Sequence, residues 1–81
     1  MNYNKNKVDD TTLALMYLVT WRQKKDFPMS AWKSFDWETM DRLFDKGFIS
    51  DPKSKAKSVR MSDEGFQRAK QFFEQMFGEK E

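Results

Sequence analysis

Cysteine and histidine are both absent from the 81 residues. Without thiols there is no disulfide and no thiolate zinc site, and without imidazole there is no histidine base and no imidazole metal ligand. Glycine is scarce: Gly47, Gly65 and Gly78 stand far apart, so no glycine-rich phosphate loop can form. The longest apolar run, Leu13 to Val19, falls well short of the roughly 20 residues a membrane span requires. The N-terminal MNYNKNKVDD lacks the apolar stretch of a secretory leader, so the sequence reads as a cytoplasmic protein with no membrane partner.

What the chain does have is aromatic side chains. Eight Phe, three Trp and two Tyr make up 16% of it, which argues for a folded globule despite 35% charged residues. A chain this short supports one domain and buries only roughly 60–65% of its unfolded surface, so the aromatics are expected to carry the core. The formal net charge of +2 identifies no partner by itself. What matters is whether the positive charges gather on one face.

Residues 1–7 are polar and expected to be disordered, 8–78 form the domain, and 79–81 fray. Asp9 or Asp10 can cap a first helix running to about Lys25. Its segment LALMYLVTW is apolar almost all round, the pattern of a central helix or of a subunit interface. DFPMSAWKSFDW predicts at most a short helix, with Ser34 or Asp36 capping the next one. From there Trp37, Met40, Leu43 and Phe44 share a helical face up to a left-handed stop at Gly47.

Phe48 and Ile49 then predict a short strand, pairing with SVRMS, where Val59 and Met61 alternate with Arg60. Ser62, followed by Asp63 and Glu64, caps a last helix whose Phe66, Ala69, Phe73, Met76 and Phe77 share a face until Gly78. The fold class is α+β, mostly α: a winged helix-turn-helix-like order of three main helices plus a short two-stranded β-hairpin, the wing.

Lys53, Lys55, Lys57 and Arg60 place four positive charges within eight residues, with Asp51 nearby. Such a loop can lie along a phosphate backbone, giving a log K against log salt slope of about −3 to −4 if three or four of these charges each met a phosphate. The alternative is a solvated hairpin whose lysines blunt a free sheet edge, with Asp51 and Pro52 opening a single helical turn. In residues 36–46, Asp36, Glu38, Asp41 and Asp45 outnumber Arg42 and Lys46, which opposes insertion into a major groove. The nucleic-acid contacts this sequence offers are therefore Lys53, Lys55, Lys57, Arg60, Lys33 and Arg42, with Arg22, Lys24 and Lys25 as helpers. Arg42 can instead pair with Glu38 or Asp45 on its own helix.

Trp21, Phe27, Trp32, Phe35 and Trp37 crowd into seventeen residues. Aromatic side chains bury about 150–250 Å² each, so this cluster can exceed what one small core hides and leave Trp21, Trp32 and Trp37 as an interface for a protein partner or a second copy. The alternative is that these rings close the core where the helices meet.

Ser30, Ser34, Ser50, Ser54, Ser58 and Ser62 have no histidine base and no nucleophile turn around them. Asp41 and Asp45, four apart, are too few ligands for a metal and sit beside Arg42 and Lys46. The sequence reads as a non-enzyme with no cofactor, no metal and no small-molecule substrate.

AWKSFDWETMDRLFDKGFISDPKSKAKSVRMSDEG resembles a small bacterial family, domain of unknown function 6429, whose members share AWK, FDW, DRL, KG, DP, KAKSV and EG at this spacing. The resemblance covers nearly the full chain. It implies a compact winged-helix-like unit and brings no assigned activity. Members often carry a histidine at the position of Phe44, so any role of that imidazole is missing here. Two functions remain: a small module that binds nucleic acid through its basic wing, or a protein-interaction or homodimerisation domain built on the first helix and the aromatic corner.

Overall fold

The computed structural model describes residues 1–22 and 24–79. Along the chain run helix α1 (Lys5–Leu18), strand β1 (Ser30–Trp32), helix α2 (Trp37–Asp45), strand β2 (Ser58–Arg60) and helix α3 (Asp63–Phe77). The fold is α+β and mostly α, with three helices and a two-stranded antiparallel sheet.

Several boundaries differ from the sequence reading. α1 begins at Lys5, capped by the Asn4 side chain, which accepts from the Lys7 amide at 3.0 Å. Asp9 and Asp10 lie inside the helix. α1 ends at Leu18 rather than near Lys25: the Val19 and Thr20 amides close tighter turns onto the Met16 and Tyr17 carbonyls at 3.1 and 3.4 Å, and the Thr20 hydroxyl also donates to the Tyr17 carbonyl at 2.9 Å. The segment expected as a short helix is β1, so one helix, α2, separates it from the basic loop.

β2 sits at the centre of a small ladder. Ser30, Ala31 and Trp32 pair with Arg60, Val59 and Ser58 on one side, and the expected pairing with residues 48–49 survives as a single bridge, Ile49 to Met61, on the other. A further bridge from Trp21 to Ser30 extends the ladder beyond β1.

α2 is held as its sequence predicts. Asp36 caps it, accepting from the Thr39 amide at 3.1 Å and the Thr39 hydroxyl at 2.9 Å. Gly47, at φ 79°, closes it in a Schellman turn: its amide donates to Phe44 and the Phe48 amide to Leu43. Ser62 caps α3 by accepting from the Gly65 amide at 3.0 Å, and its hydroxyl donates to the Gly47 carbonyl at 2.6 Å, tying the start of α3 to the end of α2.

The aromatics do not carry the core. The buried cluster is Leu13, Met16, Ala31, Met40, Leu43, Ile49, Val59, Met61 and Ala69. Tyr17, Phe35, Phe48, Phe66 and Phe72 pack half-buried around it. A domain this thin cannot close around large rings on every side, whereas Leu and the flexible Met fill a small interior fully. α1 is one-sided too: Leu13, Ala14 and Met16 are buried while Leu15, Leu18 and Val19 are exposed. No helix among the described residues is long and apolar enough to cross a membrane.

Candidate nucleic-acid interface

Strand alternation divides the ladder into two faces. Ala31, Ile49, Val59 and Met61 point into the core. The opposite face therefore carries Ser30, Trp32, Ser58 and Arg60, together with Trp21, which is bridged directly to Ser30. The rings of Trp21 and Trp32 meet at 4.8 Å between centroids, tilted by 38°. Trp32 is 52% exposed, so it forms part of the surface and does not close the core.

The basic loop leaves this same face. Asp51 Oδ1 accepts from the Lys53 amide at 2.9 Å and the Asp51 carbonyl from the Ser54 amide at 3.3 Å, so DPKS is a side-chain-capped turn and not the single helical turn its Asp-Pro start suggests. Pro52, within this turn, is buried. Between loop and sheet lies a cleft of about 440 Å³, lined by Ser30, Ser50, Asp51, Ser54, Ser58 and Arg60 among others. Serines are the part of this face that sequence reading missed, because each looks like an ordinary turn residue until β1 brings Ser30 across from Arg60.

The six candidate contacts separate into three groups. Lys53, Lys55, Lys57 and Arg60 are exposed and make no ion pair among the described residues. Lys33 holds the loop: its Nζ donates to the Pro52 carbonyl at 2.7 Å and the Ser54 carbonyl at 2.6 Å. Arg42 turns inward, where its Nε donates to Asp9 Oδ1 at 2.8 Å and it donates to the Thr39 hydroxyl at 3.1 Å. Burial disfavours the charge on Arg42, but the hydrogen bonds and charge of Asp9 outweigh that and hold the guanidinium above its ordinary value.

Lys46 completes that site, 2.8 Å from Asp9 Oδ2. Asp9 itself is 1% exposed and receives both cations. The pairing expected for Arg42 with Glu38 or Asp45 is replaced by this one across helices. A signal was present in the sequence: Asp9, Leu13 and Met16 are spaced four and three apart, which puts a carboxylate in register with the buried face of α1. α2 with its caps thus has both of its positive charges, Arg42 and Lys46, committed to α1, while Asp36, Glu38, Asp41 and Asp45 remain along it. Thr39 donates to Asp36 through its hydroxyl first and its amide second, which lowers the Asp36 carboxyl below the ordinary range.

Trp37 is 59% exposed at the start of α2 and takes no part in the Trp21–Trp32 contact. Arg22, Lys24 and Lys25 are exposed in the turn between α1 and β1, where Lys24 Nζ lies 5.7 Å from the Phe27 ring centroid.

Residues 4–79 match the family model described as "Domain of unknown function (DUF6429)". The chain is also 40% identical over 77 residues to a protein of Sinorhizobium fredii (strain NBRC 101917 / NGR234) described as "Uncharacterized protein y4hR", an alignment covering 95% of this chain and 97% of that protein. No solved structure matches significantly. On the family model and that relative, the chain belongs to the DUF6429 family.

Proposed function

We propose that this protein is a small nucleic-acid-binding module that contacts phosphates through Lys53, Lys55, Lys57 and Arg60. The observation that carries this reading is the fate of the charges. Lys33, Arg42 and Lys46 are spent on internal contacts, while the three lysines of the loop and Arg60 in the cleft are exposed and make no ion pair among the described residues. A loop that served only for solubility would need no internal lysine to hold its backbone. α2 offers no free positive charge to a groove, so binding is backbone-directed and only modestly sequence-selective.

Fluorescence anisotropy with labelled random duplex DNA and single-stranded RNA, at two salt concentrations, tests this. Binding should weaken with salt, with a log–log slope for four phosphate contacts of about −3.6 on the duplex and about −2.8 on the single strand, and disappear when Lys53, Lys55 and Lys57 are changed to Glu. Salt-insensitive binding, or none at low salt, contradicts it.

Exposure of Leu15, Leu18 and Val19 at the end of α1, together with Trp37, favours a second reading as a protein-interaction or homodimerisation domain. Sedimentation equilibrium separates the two. A dimer broken by Leu18→Asp and untouched by the lysine changes supports the second.

A further inference from the structure

Resting on the nucleic-acid reading above, we infer that the ligand is a single strand and that Trp32, backed by Trp21, is the platform on which one of its bases stacks. Trp32 and Arg60 stand diagonally across the β1–β2 ladder, at a spacing of about 7–8 Å for such neighbours. A flat exposed ring thus lies one diagonal step from a guanidinium that lines the hydroxyl-bearing cleft and makes no ion pair among the described residues. That arrangement matches a nucleotide's two parts, an aromatic base and an adjacent phosphate.

A duplex cannot use it. Paired bases are stacked on one another and offer only their edges, which are read by elements entering a groove. α2 with its two caps retains four carboxylates and has both of its cations committed to Asp9, so it does not suit insertion into a groove. An unpaired base, by contrast, has a free π-face, and aromatic stacking beside a basic track is how single strands are held without base-edge readout. The neighbouring contact with Trp21 limits the freedom of the Trp32 indole, so little order has to be gained on binding. The shared chemistry is an unstacked base with its phosphate, common to DNA and RNA.

The test compares labelled 12-nucleotide single strands, oligo-dT and oligo-U, with a 12-base-pair duplex, for the wild type, Trp32→Ala and Trp32→Phe. Single strands should bind at least tenfold more tightly than the duplex and quench tryptophan fluorescence. Trp32→Ala should cost about tenfold on single strands and under twofold on the duplex, and Trp32→Phe should restore most of the loss. Circular dichroism of each variant confirms that it is folded. Equal binding of duplex and single strand, indifferent to Trp32 yet lost on changing the lysines, overturns the single-strand inference and leaves the phosphate-binding reading standing. Absence of all binding by the wild type at low salt overturns both. A preference of oligo-U over oligo-dT, or the reverse, identifies which single strand the face takes while supporting the inference.

Discussion

Arg42, on α2, is turned into the protein onto Asp9 of α1, its Nε 2.8 Å from Oδ1. Asp9 is buried and depends on Arg42 and Lys46 for compensation. Arg42→Ala leaves it one cation short. Because Lys46 stays and water can reach the gap, the cost should fall below that of orphaning a buried ion, at about 2–3 kcal/mol, or roughly 10–20 °C in Tm. Nucleic-acid affinity of the folded variant should change less than twofold. A loss of affinity without a loss of stability would make Arg42 a ligand contact.

Gly65 and Gly47 are needed for different reasons, and urea unfolding of their alanine variants should separate them. A Cβ on Gly65 would run into the Phe48 carbonyl oxygen, a backbone atom that cannot swing aside, so Gly65→Ala should cost roughly 2–3 kcal/mol. At Gly47 nothing lies near a Cβ and only the left-handed backbone is strained, so Gly47→Ala should cost about 1 kcal/mol. The denaturant slope should be unchanged in both.

Much of this was legible in the sequence because the signals were local. Asp36, Gly47 and Ser62 mark helix ends by short-range hydrogen bonds and one positive φ, and each does what its position predicts. β1 was not legible. MSAWKS is short, carries lysine and serine, and becomes a strand only because Val59 across the ladder buries Ala31. Missing β1 split the basic loop and the tryptophans into two candidate surfaces, whereas antiparallel pairing puts Trp32 and Arg60 on one. The inward turn of Arg42 is likewise a contact 33 residues apart in sequence, beyond any local rule.

Lys33 should act on the loop and not on the ligand. Lys33→Met removes the two bonds to Pro52 and Ser54, so amide hydrogen exchange should quicken in residues 53–57 while global stability falls by less than about 1 kcal/mol. Affinity should drop through the loosened loop, with the salt slope unchanged. A slope that falls by about 0.7 would instead make Lys33 a phosphate contact.

The cap of α2 should respond to acid. Asp36 is lowered in the folded state by hydrogen bonds from Thr39, against an ordinary unfolded value of about 3.9. Its contribution is therefore complete above that value and is lost as pH falls through the lower, folded one. The Thr39 amide resonance should titrate over that acidic range, and Asp36→Asn, which still caps, should abolish the titration.

Nucleic-acid binding on the outward face of the β1–β2 ladder is the proposal to test first. Titrating a 15N-labelled sample with an unlabelled single strand reads it residue by residue, since the three indole N–H signals report Trp21, Trp32 and Trp37 separately. The Trp32 and Trp21 indoles and the amides of 53–60 should shift together while Trp37 stays still. Shifts confined to Trp37 and the end of α1, with the ladder silent, would contradict it.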